Sequence, residues 1–116
     1  MIDKEAIGQA FEAAASEIAP TYLAEAETDE YPFIVYNQSL SPDFSKDGIV
    51  AIYSQLEATV VDRDPDHAEE IAGLLAAAMR NNMANYSVRP DSLSRDCTDG
   101  IWEITLTWII IQDKFD

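Results

Sequence analysis

The sequence predicts one α+β domain over residues 1–116, with a mainly antiparallel four-stranded sheet and two helices packed on one face of it. Two observations predict this class. Apolar residues recur at helical spacing in two segments and at alternate positions in the others. The elements follow in the order α-β-β-α-β-β, and hairpin-like connections favour antiparallel pairing. A chain of 116 residues has room for one core and no second domain.

The first predicted helix covers residues 3–19. Ile7, Phe11 and Ile18 recur at three- and four-residue spacing, which places them on one stripe of the helix surface. Pro20 cannot continue the helix and marks its end. The sequence therefore predicts an amphipathic helix whose apolar stripe faces the sheet.

Two strands follow an acidic connection at residues 21–30, which we expect to be a solvated loop or an additional helical turn. Residues 31–36 are rich in aromatic and β-branched side chains, with Pro32 at the entrance of the predicted strand. A polar hairpin loop is predicted at residues 39–47. Residues 49–61 then alternate between apolar and more polar side chains, which predicts a long strand with one core face.

The second predicted helix has the strongest signals in the chain. Asp64 is the expected N-cap, and Pro65 suits the first helical position because its missing N–H is not needed there. Ile71, Leu75 and Met79 form an apolar stripe at helical spacing. This stripe predicts a helix that packs on the same sheet.

The chain ends in a weak predicted strand at residues 86–89 and a strong one at residues 101–112. Residues 92–97 fit either an extension of the weak strand or a loop. In the last strand both sets of alternating residues are apolar toward the ends, which favours a covered or partner-facing sheet. The candidate interface residues are Ile49, Tyr53, Ile101, Ile109 and Ile111.

Charge is the most distinctive bulk property, since 22 acidic residues face seven basic ones and the net charge is −15. Such a field repels nucleic acid and anionic membranes, so neither direct sequence-specific nucleic-acid binding nor membrane binding is expected. A cationic partner, a surface that must not adhere to DNA, and solubility alone all remain compatible with it. The candidate acidic surface comprises Glu25, Glu27, Asp29, Glu30, Asp62, Asp64, Asp66, Glu69 and Glu70.

No constellation of residues predicts catalysis, a cofactor or a metal site. His67 is the single histidine and lies among carboxylates at a helix start, which is typical of a solvated residue. Asp62, Asp64 and Asp66 alternate like the beginning of a calcium loop, but the required Gly and Glu are missing, and helix capping explains them. Cys97 has no histidine near it and lies beside Asp96 and Asp99, which is not the electropositive setting of a reactive cysteine. We therefore expect no enzyme.

Several features together resemble a known family. They are the short N-terminal helix, the proline-led strand YPFIVY at residues 31–36, the helix opening DPDHA at residues 64–68, and the alternating aromatic strand WEITLTW at residues 102–108. The chain resembles the tail-terminator and tail-completion (minor tail) proteins of long-tailed bacteriophages and prophages. The resemblance covers essentially the whole chain, but no single motif carries specific functional residues over.

The resemblance implies a non-enzymatic virion assembly protein. It would cap the tail tube as a hexameric ring of identical copies and join the tail to the head connector. Its partners would be itself, the tail tube protein and the head–tail connector protein. It would reside in the host cytoplasm during assembly and then in the virion tail.

Two other functions remain open. The first is an acidic DNA-mimic inhibitor or anti-defence protein that binds a basic partner, which the net charge of −15 would suit. The second is a ligand-binding regulatory module of similar layout. The sequence shows no recognisable cluster of polar pocket residues, which weighs against this function.

Overall fold

The computed structural model describes residues 4–26, 30–45, 48–82 and 87–113. It contains two helices and five strands. In chain order these are α1 (Lys4–Ser16), β1 (Thr21–Leu23), β2 (Phe33–Ser45), β3 (Gly48–Asp62), α2 (Pro65–Asn82), β4 (Ser87–Thr98) and β5 (Ile101–Asp113). No helix within the described ranges combines the length and the apolar character needed to cross a bilayer.

The sheet has the order β1-β2-β3-β5-β4, and β1 runs parallel to β2 while the other neighbours are antiparallel. The prediction of a four-stranded sheet in the order α-β-β-α-β-β is therefore wrong. The additional strand β1 lies in the acidic connection that was predicted as loop or helix. Backbone hydrogen bonds hold it: Ile34 N donates to Pro20 O and Ala24 N to Tyr36 O, both at 2.8 Å. Three residues are too few for an alternating pattern to predict a strand.

Strands β2 and β4 are longer than predicted. β2 continues to Ser45 through the segment predicted as a hairpin loop, where its backbone pairs with β3. β4 continues to Thr98, which settles the choice left open for residues 92–97 in favour of a strand. Polar sequences form these extensions because neighbouring strands satisfy their backbone groups, so apolar side chains are not required.

Both helices and one sheet face form a single apolar core. Phe11 of α1 packs edge-on against Tyr36, with ring centroids 4.9 Å apart, and approaches Trp108 of β5 at 6.2 Å. From α2, Leu75 and Met79 are buried in the same cluster. Each large side chain buried here stabilises the fold by about 1.5–3 kcal/mol.

The predicted cap of α2 is present, and a tight turn joins the last two strands. The carboxylate of Asp64 accepts hydrogen bonds from Asp66 N at 3.0 Å and His67 N at 3.3 Å, which confirms the predicted N-cap of α2. Asp99 and Gly100 have φ angles of 54° and 79° and connect β4 to β5. Two consecutive positive φ angles fit the tight hairpin turn that an Asp-Gly pair favours.

Candidate assembly surfaces

The sheet face opposite the helices, which we call the open face, has no helix packed on it within the described part of the chain. Thr59 and Thr105 are cross-strand neighbours near its centre, and their hydroxyl oxygens are 3.1 Å apart. Val35 pairs with Thr59 from the other side and is half-buried. Glu57 and Glu103 are exposed on this face. The open face therefore mixes apolar, hydroxyl and acidic side chains.

The five candidate interface residues do not form one cluster. The register pairs Tyr53 with Ile111, and Ile109 lies two positions before Ile111 on β5. Ile101 lies eight residues from Ile109, about 27 Å along the strand at 3.4 Å per residue. Ile49 pairs with Phe44 of β2, two positions before Ala51, where the described pairing of β3 with β5 begins. Ile101 and Ile109 are half-buried, and the side chains of the other three are not among those described.

An aromatic corner lies where β2 begins. The rings of Tyr31 and Phe33 stack at 5.7 Å, and the guanidinium of Arg63 lies 5.1 Å from the centroid of Tyr31. Phe33 pairs with Val61 in the register of β2 and β3. This corner joins a cation–π contact to the apolar end of the open face.

The first part of the candidate acidic surface lies around the end of β1. Glu25 and Glu30 are exposed, whereas Glu27 and Asp29 lie outside the described residues. In the same half of the chain, no basic residue occurs between Lys4 and Lys46. This edge of the sheet is therefore acidic.

The second part lies at the start of α2, where Asp64, Asp66, Glu69 and Glu70 are exposed. Glu69 forms a two-pronged ion pair with Arg95 of β4, with Nη2 and Oε2 3.1 Å apart. The hydrogen bonds from Arg95 lower the pKa of the Glu69 carboxyl. Surface pairs of this kind add little stability, so their main effect is on local charge.

Asp62 is an exception to the predicted acidic surface, because only 5% of it is exposed. Its Oδ1 accepts a hydrogen bond from Arg63 N at 2.7 Å, and its Oδ2 lies 2.8 Å from Nδ1 of His67. Oδ2 is buried and faces this ring nitrogen of His67. Across the described ranges, no three His, Cys, Asp or Glu residues are placed to hold a metal ion.

A groove of about 630 Å³, which we call the edge groove, lies between α1 and the β1–β2 edge. Its walls include Gly8 and Glu12 from α1 and Leu23 from β1. The hydroxyl of Tyr36 donates to Glu12 Oε2 at 2.7 Å, and burial together with this bond raises the pKa of the phenol. Gln38 Nε2 donates to the hydroxyl of the buried Ser54 at 2.7 Å.

Sequence reasoning missed the edge groove. It depends on where β1 stops and on how far β2 continues, and neither feature leaves a pattern in the side chains. The pair Glu12 and Tyr36 is separated by 24 residues, so only the fold brings them together.

Comparisons with known proteins give similarity in structure alone. No protein-family model matches the sequence, and no curated protein matches it. A chain from the virion of a native gene transfer agent particle is similar over 89% of this chain and 84% of its own, with 10% identity and a TM-score of 0.62. A crystal structure from Akkermansia muciniphila is similar over 95% of this chain but 48% of its own, with 10% identity and a TM-score of 0.52.

The structure of the bacteriophage SPP1 gp17 protein is also similar, with 17% identity over 90% of this chain and 89% of that one. Its TM-score is 0.46. At these identities the comparisons show the fold and nothing about residue roles. The chain therefore has, over nearly its whole length, a fold that also occurs in a virion component.

Proposed function

We propose that this protein is a non-enzymatic structural protein of a phage or prophage virion. It forms a ring of identical copies, six in number, which caps the tail tube and joins the tail to the head connector. The observation that carries the proposal is the shared fold with the gene transfer agent virion chain, because the similarity extends over most of both chains. A fold alone does not determine function, so the surfaces must support the assignment independently.

The open face and the sheet edges support self-association. Val35, Ile101 and Ile109 are only half-buried within one copy, which leaves apolar area that contact with a partner would remove from water. The aromatic corner at Tyr31 and Phe33 extends this apolar area. A homo-oligomer is the simplest assembly that buries the same surface on every copy.

The net charge supports a ring through which DNA passes. A carboxylate-rich lumen would not adhere to the phosphate backbone, so the duplex could move through it. The same charge opposes assembly, since every copy carries −15. Acidic surfaces of neighbouring copies must therefore not face each other across the contacts, or must be screened by salt.

The proposal is tested by finding where a labelled form of this protein binds on purified tail tubes. Glu70 is exposed on α2, so Glu70→Cys in a Cys97→Ser background provides one site for a gold or fluorescent label. The labelled protein is mixed with tubes assembled from the tube protein of the same phage or prophage. We expect label at one end of each tube by electron microscopy, and arrest of further tube growth.

Two results would overturn the proposal. One is the absence of label from tubes at saturating protein. The other is tight, salt-sensitive binding to a basic DNA-binding protein with no binding to tubes, which would instead support the acidic DNA mimic. Unlabelled protein added in excess serves as the control, since it must displace the label from a specific site.

A further inference from the structure

Strand β1 ends abruptly and leaves most of one sheet edge open. Ala24 has a φ of 68°, and Glu25 N donates to Leu23 O at 2.7 Å, so the chain turns away from β2 immediately after Leu23. The register of β1 with β2 ends at Tyr36, whereas β2 continues to Ser45. Along residues 37–45, no strand of the described chain pairs with this edge of β2. An edge of this length is a template for an added strand.

The edge groove runs beside the beginning of that open edge. α1 forms one wall, and Asn37 and Gln38 of β2 contribute to the floor. Gly8 allows α1 to approach Gln38 closely, because a Cβ at this position would lie 3.2 Å from Gln38 Oε1, closer than most side-chain contacts. The exposed Leu23 gives the end of the groove an apolar surface. The groove therefore fits an extended backbone that carries an apolar side chain on the helix-covered side of the sheet.

The opposite sheet edge, β4, offers such a segment. Every side chain from residues 89–98 is exposed, and no described strand pairs with the outer side of β4. A bulge between Pro90 and Ser92 interrupts its register, which leaves residues 92–98 as the regular part. Leu93 is 47% exposed and pairs with the buried Leu106, so it projects on the helix-covered side.

The two edges differ in charge. The edge groove contains the Glu12 carboxylate, and residues 5–45 hold eight carboxylates without a basic residue. β4 carries Arg89 and Arg95 against Asp91 and Asp96, so it is neutral in a chain of net charge −15. Contact between unlike edges therefore reduces the repulsion that contact between two acidic edges would create.

We propose that residues 92–98 of β4 in one copy add as a strand to residues 37–45 of β2 in the next copy, with Leu93 in the edge groove. The inference rests on the proposed ring and specifies its contact. Each copy uses one edge to donate and the other to accept, which is a head-to-tail contact of the kind that forms a ring when the rotation between copies closes.

Chemical cross-linking tests the head-to-tail pairing. Cys97 is the only native thiol, and it is exposed on β4. Gln9→Cys adds a second thiol on the α1 wall of the edge groove. With a flexible bis-maleimide, we expect this variant to give a ladder of covalent dimers, trimers and larger species. Glu70→Cys is the matched control, because it also adds one exposed thiol but on α2, and it should give no ladder.

A second pair of variants separates this contact from the ring itself. Leu93→Glu is expected to weaken association about tenfold or more, because it places a charge where an apolar side chain is buried. Leu74→Glu changes an equally exposed leucine on α2, 51% exposed against 47%, and should leave association unchanged. Mass is measured by light scattering at equal protein concentration.

The outcomes distinguish the two proposals. Oligomers that form normally with Leu93→Glu, together with no ladder from Gln9→Cys, would overturn the β4 contact and leave the ring standing. Cross-linked dimers of the unmodified protein through Cys97 alone would instead indicate a symmetric β4–β4 contact, which also contradicts the proposal. Unmodified protein that remains monomeric at every concentration would overturn the ring and the contact together.

Discussion

The two faces of the sheet differ in what their side chains achieve. On the helix-covered face, Ile34, Leu56 and Ile110 are fully buried beneath α1 and α2. On the open face, the equivalent central positions hold Thr59 and Thr105, which are half-buried and bonded to each other. The covered face therefore carries the stability of the single chain, whereas the open face and the sheet edges are available for association.

The largest effect is expected on the covered face. Phe11→Ala removes a fully buried ring that contacts Tyr36 and Trp108, so it should lower the free energy of unfolding by about 3–5 kcal/mol. Urea denaturation followed by tryptophan fluorescence measures this loss. Leu74→Ala, at a residue 51% exposed, is the control and should change stability by less than about 0.5 kcal/mol. Equal losses in the two variants would contradict the burial of α1 against the sheet.

The junction between β3 and α2 should have an intermediate effect. Asp64→Ala removes the acceptor of two backbone N–H groups at the start of α2, at an expected cost of about 0.5–2 kcal/mol. Asp64→Asn keeps an acceptor oxygen and should retain most of the stability. If the alanine and asparagine variants unfold at the same urea concentration, the hydrogen bonds accepted by the Asp64 side chain do not stabilise the start of α2.

Tyr36 connects the covered face to the edge groove through its bond to Glu12. Tyr36→Phe should lower the free energy of unfolding by about 0.5–1.5 kcal/mol. Because burial raises the pKa of the folded phenol, the folded state holds its proton more tightly than the unfolded state does. Its contribution is present at neutral pH and should decline as pH rises above about 10, the ordinary pKa of tyrosine.

Absorbance titration at 295 nm measures this directly. One tyrosine of the unmodified protein should ionise only when the protein unfolds in alkali, and that delayed step should be missing in Tyr36→Phe. Ionisation of all five tyrosines near pH 10 in the folded protein would contradict the buried environment of Tyr36.

The smallest effect is expected on the open face. Thr105→Val removes the hydroxyl contact with Thr59 but keeps a β-branched shape, so the cost should be about 0.2–1 kcal/mol. Thr105→Ser, which keeps the hydroxyl, controls for the bond. If Thr105→Val lowers the free energy of unfolding as much as Phe11→Ala does, the two faces contribute equally to stability, which contradicts the comparison.

The sequence predicted the covered face better than the sheet edges. The helical stripes, one with Phe11 on α1 and one with Leu75 on α2, and the alternation along β3 and β5 arise because burial requires apolar side chains at the period of each element. Asp64 was predictable as a cap because an N-cap needs a short side chain with an acceptor oxygen. These features depend on residues that are close in sequence.

The edges depend instead on backbone pairing between distant segments. β1 is three residues held by hydrogen bonds to β2, and residues 92–98 form a strand without apolar alternation because β5 satisfies their backbone groups. The edge groove requires Gly8 and Gln38 to meet across 30 positions, which no local pattern encodes. Sequence reasoning therefore expected contacts at Ile49, Tyr53, Ile101, Ile109 and Ile111, which stay predictions, and it offered no basis for the edge contact that we propose through Leu93.

Light scattering coupled to size-exclusion chromatography tests the central claim most directly. The unmodified protein is measured at several concentrations in low and high salt. The ring predicts a species near six times the mass of one chain, favoured at high concentration and by salt that screens the charge of −15 per copy. A mass of one chain under every condition would contradict the claim that its exposed apolar surfaces and sheet edges serve self-assembly.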